Sequence, residues 1–111
     1  AGDTHNAWAF DLAQDGNAVG VEFGVCSVTS PGFEGYLPQV PTSMLQQAVV
    51  GANPQLQWAD TSQRGYMAVD LTPEAATCEW RFVSGIRQRG TQLAGTHRMA
   101  SALGSNTLAM G

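Results

Sequence analysis

The stretch NAWAFDLAQDGNAVGVEFGVC, Asn6 to Cys26, holds two alternating runs around one turn signal. In the first run Trp8, Phe10 and Leu12 fall on one side, and Ala7, Ala9 and Asp11 on the other. Successive side chains of a β-strand point to opposite faces, so a repeat of two reads as strand. Asp15-Gly16 follows, a pair that tolerates the positive φ angles of a tight hairpin turn. Val19, Val21, Phe23 and Val25 then share one face of the second run. Together the runs predict a β-hairpin, Asn6–Leu12 against Ala18–Cys26.

The same pattern recurs downstream. RGYMAVDLTPEAATCEWRFV, Arg64 to Val83, places Met67, Val69 and Leu71 on one face, then Cys78, Trp80 and Phe82. Between them TPEA turns the chain, with Pro73 where its fixed φ fits. Thr77, Glu79 and Arg81 form the polar side of this second hairpin. The segment between the hairpins begins SVTSPGFEGYLPQVP, a composition that reads as a long loop. Ser43 then caps a helix, with Gln46 as its capping-box partner and Met44, Leu45, Ala48 and Val49 as the apolar face. Gly51 and Asn53-Pro54 stop it. From Ser84 on, periodicity is weak, and the expectation is an extended or irregular tail with a short helix around Arg98–Leu103.

These readings predict an α+β fold, mostly antiparallel β with one short helix. Residues 1–83 form the body and 84–111 a tail. One helix of about ten residues covers only part of a four-stranded apolar face, which points to an incomplete unit.

Composition narrows the function. The net charge is −4, and all five basic residues are arginine, so no basic patch invites a nucleic-acid backbone. No apolar run approaches the roughly 18–20 residues of a membrane-spanning helix, and Ala1-Gly2-Asp3 does not open a signal peptide. Cys26 and Cys78 are far apart in sequence. They pair in an oxidising compartment or remain two buried thiols, and without a CxxC or Cys/His cluster they make no structural zinc site.

Asp3 and His5 stand one residue apart just before the first strand. In extended backbone both side chains face one way, and imidazole and carboxylate are both metal donors. A solvated polar end is the alternative. An antiparallel hairpin returns the loop after the second strand to the His5 end, which brings Thr29 and Ser30 near as substrate-binding candidates. Asn6 either donates to a phosphate or fixes the strand entry. His97 reads as a surface residue. Arg64, Arg81, Arg87, Arg89 and Arg98 are possible phosphate clamps, and spacing selects none of them.

GDTHNAWAFDL, then VEFGVCSVTSPGF, then NPQLQWADTSQRGYMAVDLTPEAATCEWRFV resemble, in order, the C-terminal end of the alkaline phosphatase D family of secreted metallophosphatases. The likeness covers residues 2–83, with a loose echo of a terminal GSN at Gly104–Asn106. It implies the calcineurin-like metallophosphoesterase sandwich, two β-sheets flanked by helices. It also implies that this chain is the last third or quarter of such an enzyme, because the upstream segments that carry most metal ligands have no counterpart here. Calcineurin-like enzymes end their metal motifs in GHxH. Here GDTH puts Asp3 at the first imidazole position and His5 at the second. By that likeness His5 is a ligand to an iron-like metal, and Asp3 a ligand to a calcium-like metal or a group that orients one.

Fe3+ and Ca2+ are thus the implied cofactors, with other divalent metals as substitutes. The implied activity is hydrolysis of phosphate mono- or diesters by metal-activated water, in a secreted or periplasmic enzyme. The implied partners are a phosphate ester and the upstream part of the same enzyme, as a second chain or a missing segment. This chain alone is expected to be inactive. The competing reading is a non-catalytic β-rich fragment or subunit with a structural or assembly role.

Overall fold

The computed structural model describes all 111 residues. In chain order the elements are β1 (Ala7–Gln14), β2 (Asn17–Gly24), α1 (Phe33–Tyr36) and α2 (Thr42–Ala52). They continue as β3 (Leu56–Asp60), β4 (Gly65–Leu71), β5 (Ala75–Val83), β6 (Leu93–Ala102) and β7 (Ala109–Met110). One sheet has the order β2-β1-β3 and the other β4-β5-β6-β7, and every pairing is antiparallel. The fold is therefore α+β, mostly antiparallel, with two short helices rather than one.

Both predicted hairpins form. Asp15 and Gly16 have φ of 53° and 80°, the left-handed pair that lets a two-residue turn follow the twist of its strands. The inward face of β1 is the opposite of the expected one. Ala7 and Ala9 are wholly buried, whereas Trp8, Phe10 and Leu12 are half-buried. The reason lies in the other sheet. Trp80 is completely enclosed and shares one core cluster with Ala7, Ala9, Cys26, Cys78, Phe82 and Met99, so small residues must oppose it on β1. Its indole Nε1 donates to the Gly24 carbonyl at 2.8 Å, which satisfies the one polar atom such a ring carries inward. Trp58 of β3 lies 4.7 Å from Trp80 between ring centres. Burying an indole of about 200 Å² at about 25 cal/mol/Å² stabilises by roughly 5 kcal/mol, so this cluster is what holds the two sheets together.

On β5 the expected set Cys78, Trp80 and Phe82 is the buried one. On β4 only Met67 of the predicted face packs inward; Val69 and Leu71 are exposed. Helix α2 begins behind Pro41 with no side-chain cap, two residues ahead of the expected cap at Ser43. Its half-buried residues are Thr42, Leu45, Gln46, Val49 and Val50, and it lies against β3; Met44 and Ala48 face solvent. Asn53 closes it, its amide donating to the Val49 carbonyl at 2.7 Å.

The largest departure is in residues 84–111. The expected helix at Arg98–Leu103 is instead part of the ten-residue strand β6, paired with β5 from Ala75↔Ala102 to Val83↔Leu93. The open edge of β5 recruits it. Its inward positions are Gly95, His97 and Met99, too small or too polar to write a hydrophobic alternation. The chain then returns to the first sheet, where the Asp11 carboxylate accepts from the Leu108 amide at 2.8 Å. His97 is not a surface residue. Its ring stacks on Trp58 at 4.0 Å and 8°, and its Nε2 is buried without a partner. Cys26 and Cys78 are free thiols in the core.

Candidate functional site: a pinned turn bearing Asp3 and His5

Residues 3–6 are not strand. They bend, and Asp3 and His5 both sit in left-handed backbone, with φ of 73° and 62°. The same-face rule for extended chains therefore does not apply to this pair. Asp and His are among the non-glycine residues that adopt this region, at a cost of about 1–3 kcal/mol each that surrounding contacts must offset.

Those contacts are numerous. The Thr4 amide donates to the Gly2 carbonyl at 2.9 Å. The Thr4 carbonyl accepts from Asn6 Nδ2 at 2.9 Å, and Thr4 Oγ1 accepts from Trp8 Nε1 at 2.6 Å. The His5 carbonyl accepts from Arg64 Nη1 at 2.7 Å. Trp8, turned away from the core, meets Phe33 edge-on at 5.9 Å and backs the turn.

The loop after β2 does return to this end. Ser27 Oγ accepts from the Thr29 and Ser30 amides at 3.1 and 2.8 Å, a tight serine turn. The Ser30 carbonyl accepts from Arg64 Nη1 at 2.6 Å, and His5 Nδ1 meets the Pro31 carbonyl at 3.1 Å. Thr29 is exposed and Ser30 half-buried, with both hydroxyls free of protein partners. Asn6 is fully enclosed; besides holding Thr4 it accepts from the Phe33 amide at 3.0 Å, so its side chain fixes strand entry and loop.

Arg64 is the residue that spacing did not single out. It is 7% exposed, and one guanidinium nitrogen holds the carbonyls of both segments. Its Nη2 reaches Glu34 Oε2 at 3.4 Å. Gly32 makes the approach possible, because a Cβ there would strike Asn6 Oδ1, Arg64 Nη2 and the His5 carbonyl. Gly65 plays the same part on the other side, with the Arg81 backbone where a Cβ would stand. A sequence signal existed in the two glycines, Gly32 in SPGF and Gly65 in RGY, each marking a close approach of backbone.

The donor set can be tested against a metal. A carbonyl only accepts, so the contact with Pro31 makes His5 Nδ1 the protonated nitrogen. In the neutral ring Nε2 then keeps its lone pair, the arrangement of a metal-ligating imidazole. The Asp3 carboxylate is exposed and makes no hydrogen bond or ion pair within the chain. These two donors fit part of a ligand set. No group of three or more His, Cys, Asp or Glu side chains converges anywhere in the structure.

A family model described as PhoD-like phosphatase matches residues 1–80. The chain belongs to the PhoD-like phosphatase family. The matched span includes the Asp3–His5 turn, the Thr29–Ser30 loop and Arg64, and it ends at Trp80, before β6. No curated protein and no solved structure matches the chain.

Three titrating groups of this PhoD-like chain are perturbed near the core. Burial lowers the pKa of His97, and the Asp60 charge opposes that shift. Burial raises the Cys26 thiol, partly offset by Arg64, and raises Cys78 to about 12. Neither thiol is a nucleophile at neutral pH.

Proposed function

We propose that this chain supplies the last metal-binding turn of a phosphate-ester hydrolase of the PhoD-like phosphatase family. The observation that carries the reading is the His5 ring, locked through Nδ1 to Pro31 with Nε2 free, beside an unpartnered Asp3 on a doubly left-handed turn. In this reading His5 holds an iron-like ion and Asp3 a calcium-like one; Fe3+ and Ca2+ are the pair the family resemblance implies, and imidazole nitrogen and carboxylate oxygen accept them as well as other divalent metals. Bound metal ions of this kind activate water and polarise a phosphoryl oxygen. The chain's own part is to orient its donors. Arg64 fixes the His5 and Ser30 carbonyls, and the Thr29 and Ser30 hydroxyls stand free to meet a phosphate ester, mono- or diester.

A dinuclear centre takes more donors than this turn offers, so the remaining ligands come from an upstream part of the same enzyme. Leu71, Leu103 and Met110, between 74% and 80% exposed, are consistent with surfaces that such a part covers. A secreted or periplasmic setting goes with this reading.

The test is His5→Ala in the complete enzyme, with metal content measured by mass spectrometry alongside phosphatase turnover. Loss of one metal equivalent and of turnover is expected; full metal content and full activity would exclude His5 as a ligand. The isolated chain is expected to show no metal-dependent hydrolysis of a generic phosphate ester. If it turns over, the need for further ligands is wrong.

A further inference from the structure

The β5–β6 connection carries a second site-like feature that the metal turn does not use. The Ser84 amide donates to the Gln92 carbonyl at 2.9 Å and closes a loop whose tip is Ile86-Arg87-Gln88-Arg89. The loop borders a cleft of about 690 Å³. It also borders a hollow of about 470 Å³ that reaches Val28, next to Thr29.

Arg64, Arg87 and Arg89, three of the five arginines in the chain, border the larger cleft. Gln88 and Gln92 add side-chain amides and no acidic residue lines it; the Ser62 hydroxyl and Gln63 amide at its border already donate to the Asp60 carboxylate. That is notable in a chain with nine acidic residues and a net charge of −4. Arg87 and Arg89 are exposed and form no ion pair; the chain's two ion pairs are Arg64–Glu34 and Arg81–Glu79. Two unpaired guanidiniums beside the Gln88 and Gln92 amides fit a tetrahedral oxyanion, which takes planar forked donors bidentately.

We propose that the Arg87–Arg89 loop and this cleft form an oxyanion-binding site, specific for a phosphate group other than the one at the metal turn. The phosphate is either a second one on the same substrate or free inorganic phosphate. Binding of a phosphate here does not depend on the metal reading; only the choice between the two sources does.

The experiment uses the complete protein, stripped of metal by chelation so that a metal centre cannot contribute. Inorganic phosphate is titrated in while the arginine Nε–H signals are followed by NMR, with the Arg87 and Arg89 signals assigned by their absence from the single alanine variants. Saturable shifts of those two signals are expected. Affinity should fall about tenfold in Arg87→Ala and in Arg89→Ala, the loss of one charge-assisted contact. Arg98→Ala removes the same charge outside the cleft and should bind as the parent does. Absence of shifts, binding that survives both cleft variants, or an equal loss in Arg98→Ala would each overturn the proposal.

A second arm compares KM for substrates with one and with two phosphate groups in the metal-loaded enzyme. If the cleft variants raise KM only for the doubly phosphorylated substrate, the group rides on the substrate. If the two KM values move together while the titration still saturates, the ligand is free phosphate.

Discussion

Replacing Arg64 by methionine tests whether one guanidinium holds the two candidate loops together. The change keeps most of the side-chain volume and removes three hydrogen bonds from a place that is 7% exposed. The His5 and Ser30 carbonyls, at 2.7 and 2.6 Å from Nη1, then lose their partner. A hydrogen bond to a charged group contributes about 1.5–3 kcal/mol net, and the lost desolvation of the buried cation returns part of that. The Glu34 contact is longer and partly exposed, so it adds no more than about 1 kcal/mol. The expected destabilisation is about 3 kcal/mol. With roughly 2.1 cal/mol/K of unfolding entropy per residue, 111 residues turn this into about 13 °C of Tm. Calorimetry reads the Tm, and the nitrogen shifts of the His5 ring read its tautomer. The parent should hold its proton on Nδ1, and Arg64→Met should show a tautomer mixture as the turn loosens. Arg64→Lys should fall between, because an ammonium can donate twice but lacks the planar fork. A Tm within about 2 °C of the parent together with an unchanged His5 ring would refute the pinning role.

Other outcomes follow from the same geometry. Gly32→Ala pushes a methyl group against Arg64 Nη2 and the His5 carbonyl and should lower stability by about 1–3 kcal/mol, whereas Gly51→Ala, in open space within α2, should raise it by up to about 1 kcal/mol; chemical denaturation measures both. The folded chain holds His97 neutral below its unfolded pKa of 6.5, so the unfolded state binds the extra proton first. Stability is then full above about pH 6.5 and declines as the pH falls toward the lowered folded value, and His97→Phe, which keeps a flat ring on Trp58, should remove that share of the slope. A thiol reagent at neutral pH should leave Cys26 and Cys78 unmodified in the folded chain and count two thiols after unfolding; none after unfolding would mean that they pair.

The hairpins were legible because strand period and turn chemistry are local. Asp15-Gly16 needs nothing beyond its neighbours to turn. The inward face of β1 was not legible, because hydrophobicity alone favours Trp8 and Phe10. The deciding fact is Trp80, more than seventy residues away, whose size demands alanines opposite. Strand β6 was hidden for a related reason. It is held by backbone pairing to β5, and its inward positions Gly95 and His97 carry little apolar signal. His97 itself is buried by Trp58, which a local reading cannot see.

The candidate site divides the same way. Asp3 and His5 were recognisable as donor types at a suggestive spacing, but the spacing argument assumed an extended chain. What sets their backbone is a bend with two left-handed residues. Such a bend persists only where several contacts over-determine it. The strongest comes from an arginine 59 positions downstream. Among five arginines, composition cannot say which is buried. A neighbouring glycine cannot decide it alone, because Arg89 also precedes one, Gly90, which stands in open space. Arg81, Arg87, Arg89 and Arg98 sit on strands or at a loop tip with room around them, whereas Arg64 is followed by Gly65, where a Cβ would meet the Arg81 backbone. The chain is thus drawn close against β5 immediately after Arg64, and the Gly65 amide donates to the Ser27 carbonyl at 3.2 Å. That contact ties the start of β4 to the serine turn and places the Arg64 guanidinium between that turn and His5. Substituting Gly65 should therefore disturb the Asp3–His5 turn without touching it. Gly65→Ala, read by the His5 tautomer, should reproduce the Arg64→Met signature. If the ring is unaffected while stability falls, the two loops are held by something other than this arginine.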